Sequence, residues 1–128
     1  MTYIEFFDPE ATKNLSACML YKPERVVFVG HDEEVMDRCT QRYEAMFADR
    51  KTPIRFLYRY VEENDLPGAV RILSDIVEEF DQCVFDLTGG QEILNVALGV
   101  VYARYPDRQI HIHQYDMEKN EIYDPIIQ

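Results

Sequence analysis

The residues with the most chemical potential lie in one run, Val84-Phe85-Asp86-Leu87-Thr88-Gly89-Gly90-Gln91-Glu92. An apolar, strand-like segment leads into two glycines, and a helical pattern follows. Such a strand-to-helix turn exposes successive backbone N–H groups at the positive end of a helix, and its glycines let a ligand approach without a Cβ in the way. Thr88 adds a hydroxyl that donates or accepts. The chemistry expected is therefore recognition of a small anion. The spacing is not that of the phosphate-binding loop, since no Lys-Ser/Thr pair follows, and it is not the dinucleotide GxGxxG. A tight turn that merely packs a helix on its strand would use the same residues.

Charge and composition narrow the classes. A net charge of −11 argues against duplex DNA or RNA as a partner, because backbone binding draws on clustered Lys and Arg. It leaves room for a small anionic ligand held by helix N-termini and backbone amides. With 128 residues, 47% hydrophobic and 29% charged, the chain reads as one globular domain over 1–128. No apolar run reaches the ~18 residues of a membrane span, and Thr2 to Phe7 lacks the basic start of a signal peptide. The expectation is a cytoplasmic protein without membrane contact. Cys18, Cys39 and Cys83 are odd in number, lack CxxC spacing and fall on apolar positions, so reduced core thiols are expected, with no metal and no cofactor.

The elements that must position the turn follow from periodicity. Tyr3 to Phe7 reads as a strand, and Asp8-Pro9 opens a helix to about Tyr21. Val26-Val27-Phe28-Val29 is a continuous apolar strand of the kind buried in a parallel sheet, ending at Gly30. Asp32 and the acidic pair after it start a helix to Ala48. Ile54 to Val61 alternates as an edge strand with one face partly in water. A helix from Asp65-Leu66-Pro67 to Phe80 precedes the central run. The fourth helix, Glu92 to Tyr105, is apolar on nearly every side and needs cover on more than one face. Ile110 to Tyr115 and Glu121-Ile122-Tyr123 form a closing hairpin.

Strand and helix alternating four times predicts an α/β, Rossmann-like three-layer sandwich, a mostly parallel sheet with a C-terminal antiparallel hairpin strand. With strand order 3-2-1-4-5, ligands bind beyond the C-terminal ends of the first and fourth strands. That places Asp8 to Thr12 beside Thr88 to Gln91.

In this element order, and in Asp86-Leu87-Thr88-Gly89-Gly90, the chain resembles the CRISPR-associated Rossmann fold (CARF) family, sensor domains often fused to nucleases. Phe6-Phe7-Asp8 and Phe28-Val29-Gly30 resemble the strand ends of a branch with a C-terminal nuclease. The resemblance implies a homodimer of type III CRISPR antiviral signalling that binds a cyclic oligoadenylate, cyclic tetra-adenylate, across its two-fold axis. Ring symmetry suits an interface that presents each residue twice. By the same resemblance Thr88, Gly89, Gly90 and Gln91 contact ribose and phosphate. Asp8, Pro9, Glu10, Ala11 and Thr12 contact adenine or sugar, and Gly30 and His31 are weaker contributors. The chain differs from nuclease-bearing relatives in stopping at Gln128, as a sensor fragment or a stand-alone domain would.

Two alternatives keep the fold. A ring nuclease would cleave the cyclic ligand with its own ribose 2′-hydroxyl and few protein groups. A dimerisation module would bind no ligand. Asp86 is expected to be structural, His31 is the one candidate acid or base, and His111 and His113 lack the spacing of a metal site.

Overall fold

The apolar runs become strands and the periodic stretches become helices: β1 (Thr2–Phe6), β2 (Arg25–Gly30), α1 (Glu33–Met46), β3 (Arg55–Tyr60), α2 (Leu66–Glu79), β4 (Gln82–Asp86), α3 (Glu92–Arg104), β5 (Gln109–Asp116) and β6 (Glu121–Tyr123). This is a computed structural model, and it describes residues 1–8, 15, 21–87, 89–116, 118–119 and 121–123. The helix expected between Asp8 and Tyr21 lies outside the described residues except for Leu15 and Tyr21. The strands form one sheet in the order β3-β2-β1-β4-β5-β6. The first five are parallel, and β6 pairs antiparallel with the end of β5, Gln114 opposite Tyr123. The architecture is α/β and Rossmann-like.

Alternation along each strand splits the core in two. Ile4, Phe6, Val27, Val29, Phe85 and Ile112 face α2 and α3, against Leu73, Ile76, Leu98 and Val101. Tyr3, Val26, Phe28 and Val84 face the other way, where Phe28 and Phe56 (ring centroids 6.0 Å apart) meet Tyr43 and Phe47. Each aromatic contact adds about 0.5–1.5 kcal/mol to the area it buries.

β3 is the sheet edge, yet Ile54 and Phe56 are buried on one side and Val61 on the other. α1 and α2 flank the edge, and β3 still lies partly in water: Arg55 and Tyr60 are exposed and Leu57, Tyr58 and Arg59 half-buried. Arg55 pairs with Glu44 at 2.8 Å and Arg59 with Glu79 at 3.0 Å, ties between the edge strand and both helices. Among the described residues no helix is long and apolar enough to cross a membrane.

Candidate ligand-binding site

The sheet reverses direction at β1, which has β2 on one side and β4 on the other. The connections leaving β1 and β4 diverge there and open a crevice beyond the strand ends. Three segments meet at it: Phe7-Asp8, Gly30-His31, and Gly89-Gly90-Gln91. Backbone ladders hold them nearly to their tips. The Phe7 N–H donates to the Val29 carbonyl at 2.9 Å, and the Leu87 N–H donates to the His113 carbonyl at 2.9 Å.

The glycines are demanded from beneath. Gly90 has φ +88°, a left-handed conformation that side chains with a Cβ rarely adopt. A Cβ there would lie 2.3 Å from Phe6 Cβ, and one at Gly89 would lie 3.0 Å from Asp8 Cβ. The turn therefore presses on the end of β1, and the opposite side of Gly90 is exposed. Packing accounts for the missing side chains, and the same packing presents the turn's backbone outward. At Gly30, which is buried, the space of a Cβ is taken by Phe7 and Met36.

Helix starts differ in how their free amides are satisfied. In α1 the Val35 N–H donates to Asp32 Oδ1 at 3.2 Å, and in α2 the Gly68 N–H donates to Asp65 Oδ1 at 3.0 Å. α3 has Gln91 at this position and no side-chain cap. The Gln91 Nε2–H instead donates to His31 Nδ1. That contact ties the exit of β2 to the start of α3 across the end of β1. Among the described residues the Glu92 and Ile93 amides of the first turn of α3, with their share of the helix dipole, have no side-chain cap, whereas the Leu94 N–H donates to the Gln91 carbonyl.

Beneath the crevice lies a pair the periodicity did not reveal. Glu5 and Asp86 are register neighbours on β1 and β4, each 1% exposed. Burial first, then the charge of Asp86 and a hydrogen bond to it, hold the Glu5 carboxyl well above its ordinary value of 4.5. The signal available in sequence was one glutamate inside an apolar strand and one aspartate at the end of another. His113 is next in register on β5, and Tyr3 Oη lies 3.1 Å from its Nδ1.

Of the residues expected at the site, Asp8, Gly30, His31, Gly89, Gly90 and Gln91 are brought together. Pro9, Glu10, Ala11, Thr12 and Thr88 lie outside the described residues. Among the described residues no group of His, Cys, Asp and Glu could hold a metal. Cys83 is buried, and its thiol is pushed up to about 11 chiefly by that burial, so it is inert. A cleft of about 630 Å³ at the opposite ends of the strands is lined by Arg25 and Arg108 but also by Glu24, Asp81 and Asp107. Its charges offset one another.

The fold recurs in solved structures. Can2 from Sulfobacillus thermosulfidooxidans, in complex with cyclic tetra-adenylate, matches with a TM-score of 0.76 at 18% identity, over 97% of this chain and 34% of that one. Protein VC1899 from Vibrio cholerae matches with a TM-score of 0.73 at 11% identity, over 98% of this chain and 33% of that one. The chain thus spans about a third of the length of each. No family model and no curated protein matches it. The likeness shows the Rossmann-like α/β fold alone, and neither match bears on a C-terminal nuclease.

Proposed function

We propose that the chain is a sensor domain of type III CRISPR antiviral signalling that binds cyclic tetra-adenylate as a homodimer. The observation that carries this reading is the meeting of the uncapped α3 start, His31 and the Phe7-Asp8 tip at the strand switch point. It occurs in a fold like that of a ring-bound structure. The α3 amides and the turn over 88–91 take phosphate and ribose. Asp8, an acceptor, suits an adenine amine or a ribose hydroxyl better than a phosphate, and the segment to Thr12 continues that contact.

Calorimetry with cyclic three-, four- and six-adenylate rings tests this. One four-membered ring per dimer is expected. Thr88→Ala, which removes one hydrogen bond to a charged ligand, is expected to cost about 1.5–3 kcal/mol, roughly ten- to a hundredfold in affinity. Binding of none of the rings would leave the dimerisation module without a ligand. Chromatography of the ring after long incubation separates sensing from ring cleavage; an intact ring is expected.

The dimer is placed on α3. Leu94, Ala97, Leu98 and Val101 are buried. On the outside Val96 is 56% exposed and Tyr102 38%, and a Cβ on Gly99 between them would meet nothing within 4 Å. A symmetry mate covers this apolar stripe and brings two crevices around one ring. Light scattering at low micromolar concentration is expected to find a dimer for the parent and a monomer for Val96→Arg, since a two-fold interface meets each added charge twice. A monomeric parent would remove the two-fold site.

A further inference from the structure

Ligand contact does not account for the polar row under the site. Glu5, Asp86 and His113 occupy adjacent register positions on β1, β4 and β5, on the side of the sheet whose core is built from apolar and aromatic side chains such as Val26, Phe28 and Phe56. Two carboxylates side by side in the interior cannot both be charged. Glu5 and Asp86 are register partners with both side chains buried, and a hydrogen bond between two such carboxyls needs a proton on one of them. Among the described residues the remaining Glu5 oxygen, Oε1, has no partner, so the arrangement is costly where an apolar pair would not be. Its position gives it a use. Asp86 ends β4 just ahead of the turn, and Glu5 precedes Phe6, on which Gly90 rests. The pair joins the two strand ends that carry the turn.

We propose that Glu5 is the positioning residue of the turn: as a neutral acid it donates to Asp86, locks the end of β4 to β1, and holds the 87–91 stretch in place for its ligand. That the turn meets a ligand rests on the function proposed above; that Glu5 holds the turn does not.

Amide hydrogen exchange on the parent, Glu5→Gln and Glu5→Ala, with carboxyl NMR of carbon-13 glutamate-labelled parent at pH 7, tests this. One glutamate carboxyl, missing from Glu5→Gln, is expected at the protonated position. In Glu5→Ala the 87–91 stretch is expected to exchange roughly tenfold faster or more, with α1 and β3 within about twofold of the parent. Glu5→Gln keeps an N–H donor for Asp86 and is expected to restore parent rates. An ionised Glu5, an unchanged turn in Glu5→Ala, or exchange raised equally across the sheet overturns the proposal. If Glu5→Ala does not fold, an ionised Glu5 or a loosened turn in Glu5→Gln still does. Calorimetry of the four-membered ring on the same chains keeps the two ideas apart: a parent that ignores the ring, with a turn that loosens only in Glu5→Ala, removes the ligand and leaves the positioning role.

Discussion

Gly90→Val is expected to destabilise the protein by roughly 2–6 kcal/mol and to lower its Tm by roughly 6–30 °C. Two effects add. A β-branched residue is strained at φ +88°, and its Cβ would stand 2.3 Å from Phe6 Cβ. Phe6 cannot move aside, since it is 1% exposed and packed in the α2/α3 side of the core. Strain and overpacking each cost about 1–3 kcal/mol. Gly99→Ala is the matched control. Within one subunit a Cβ there meets nothing within 4 Å, so below the concentration at which the proposed dimer forms helix propensity should stabilise by about 0.5–1 kcal/mol. Thermal melts of the two variants decide. A parent-like melt for Gly90→Val would mean that the turn does not press on β1. Weakened ring binding in Gly90→Val would not by itself identify a ligand contact, and Thr88 is the better probe.

Glu5→Gln is expected to remove a pH slope from folding. The folded protein keeps the Glu5 proton above pH 4.5, where an unfolded glutamate has given it up. The raised value therefore contributes stability that is fully present below 4.5 and is lost as pH climbs towards the folded-state value, by about 1.4 kcal/mol per pH unit for one proton. A glutamine does not titrate. The other carboxylates, with His113 and Tyr3 beside the pair, are present in both chains, so the difference isolates Glu5. Urea unfolding at pH 5, 6 and 7 should show the variant gaining on the parent at each step. A difference that does not change with pH would mean that Glu5 is ionised in the fold.

Local chemistry made much of the scaffold legible. The run Val26-Val27-Phe28-Val29 could only be an interior strand, and Asp32 and Asp65 stand where the two helices are capped. Alternation and crossover handedness leave the strand order open; the order that joins the end of β1 to the turn after β4 is a condition of the reading, and the sheet has it. What stayed hidden depends on pairs far apart in the chain. Glu5 and Asp86 are neighbours only once two strands are set side by side in one register, and His31 meets Gln91 only when both loops stand over β1. The third strand alternates like an edge, and it stays partly in water, with Phe56 buried and Tyr60 exposed. The two glycines suit a ligand's approach and a packing turn alike, and which side of a turn lacks room for a Cβ is decided by what lies beneath it.

The uneven capping of the helices sets stability against use. Asp32 and Asp65 each satisfy an amide that would otherwise face water, a contribution of about 0.5–2 kcal/mol. α3 forgoes that gain with Gln91. An aspartate in its place would bring α3 into line with the other two helices, and under the proposed function it would set a carboxylate where the ligand's phosphate binds. A redesign of this chain for thermostability alone would choose that substitution early, at the expense of the ligand binding proposed above.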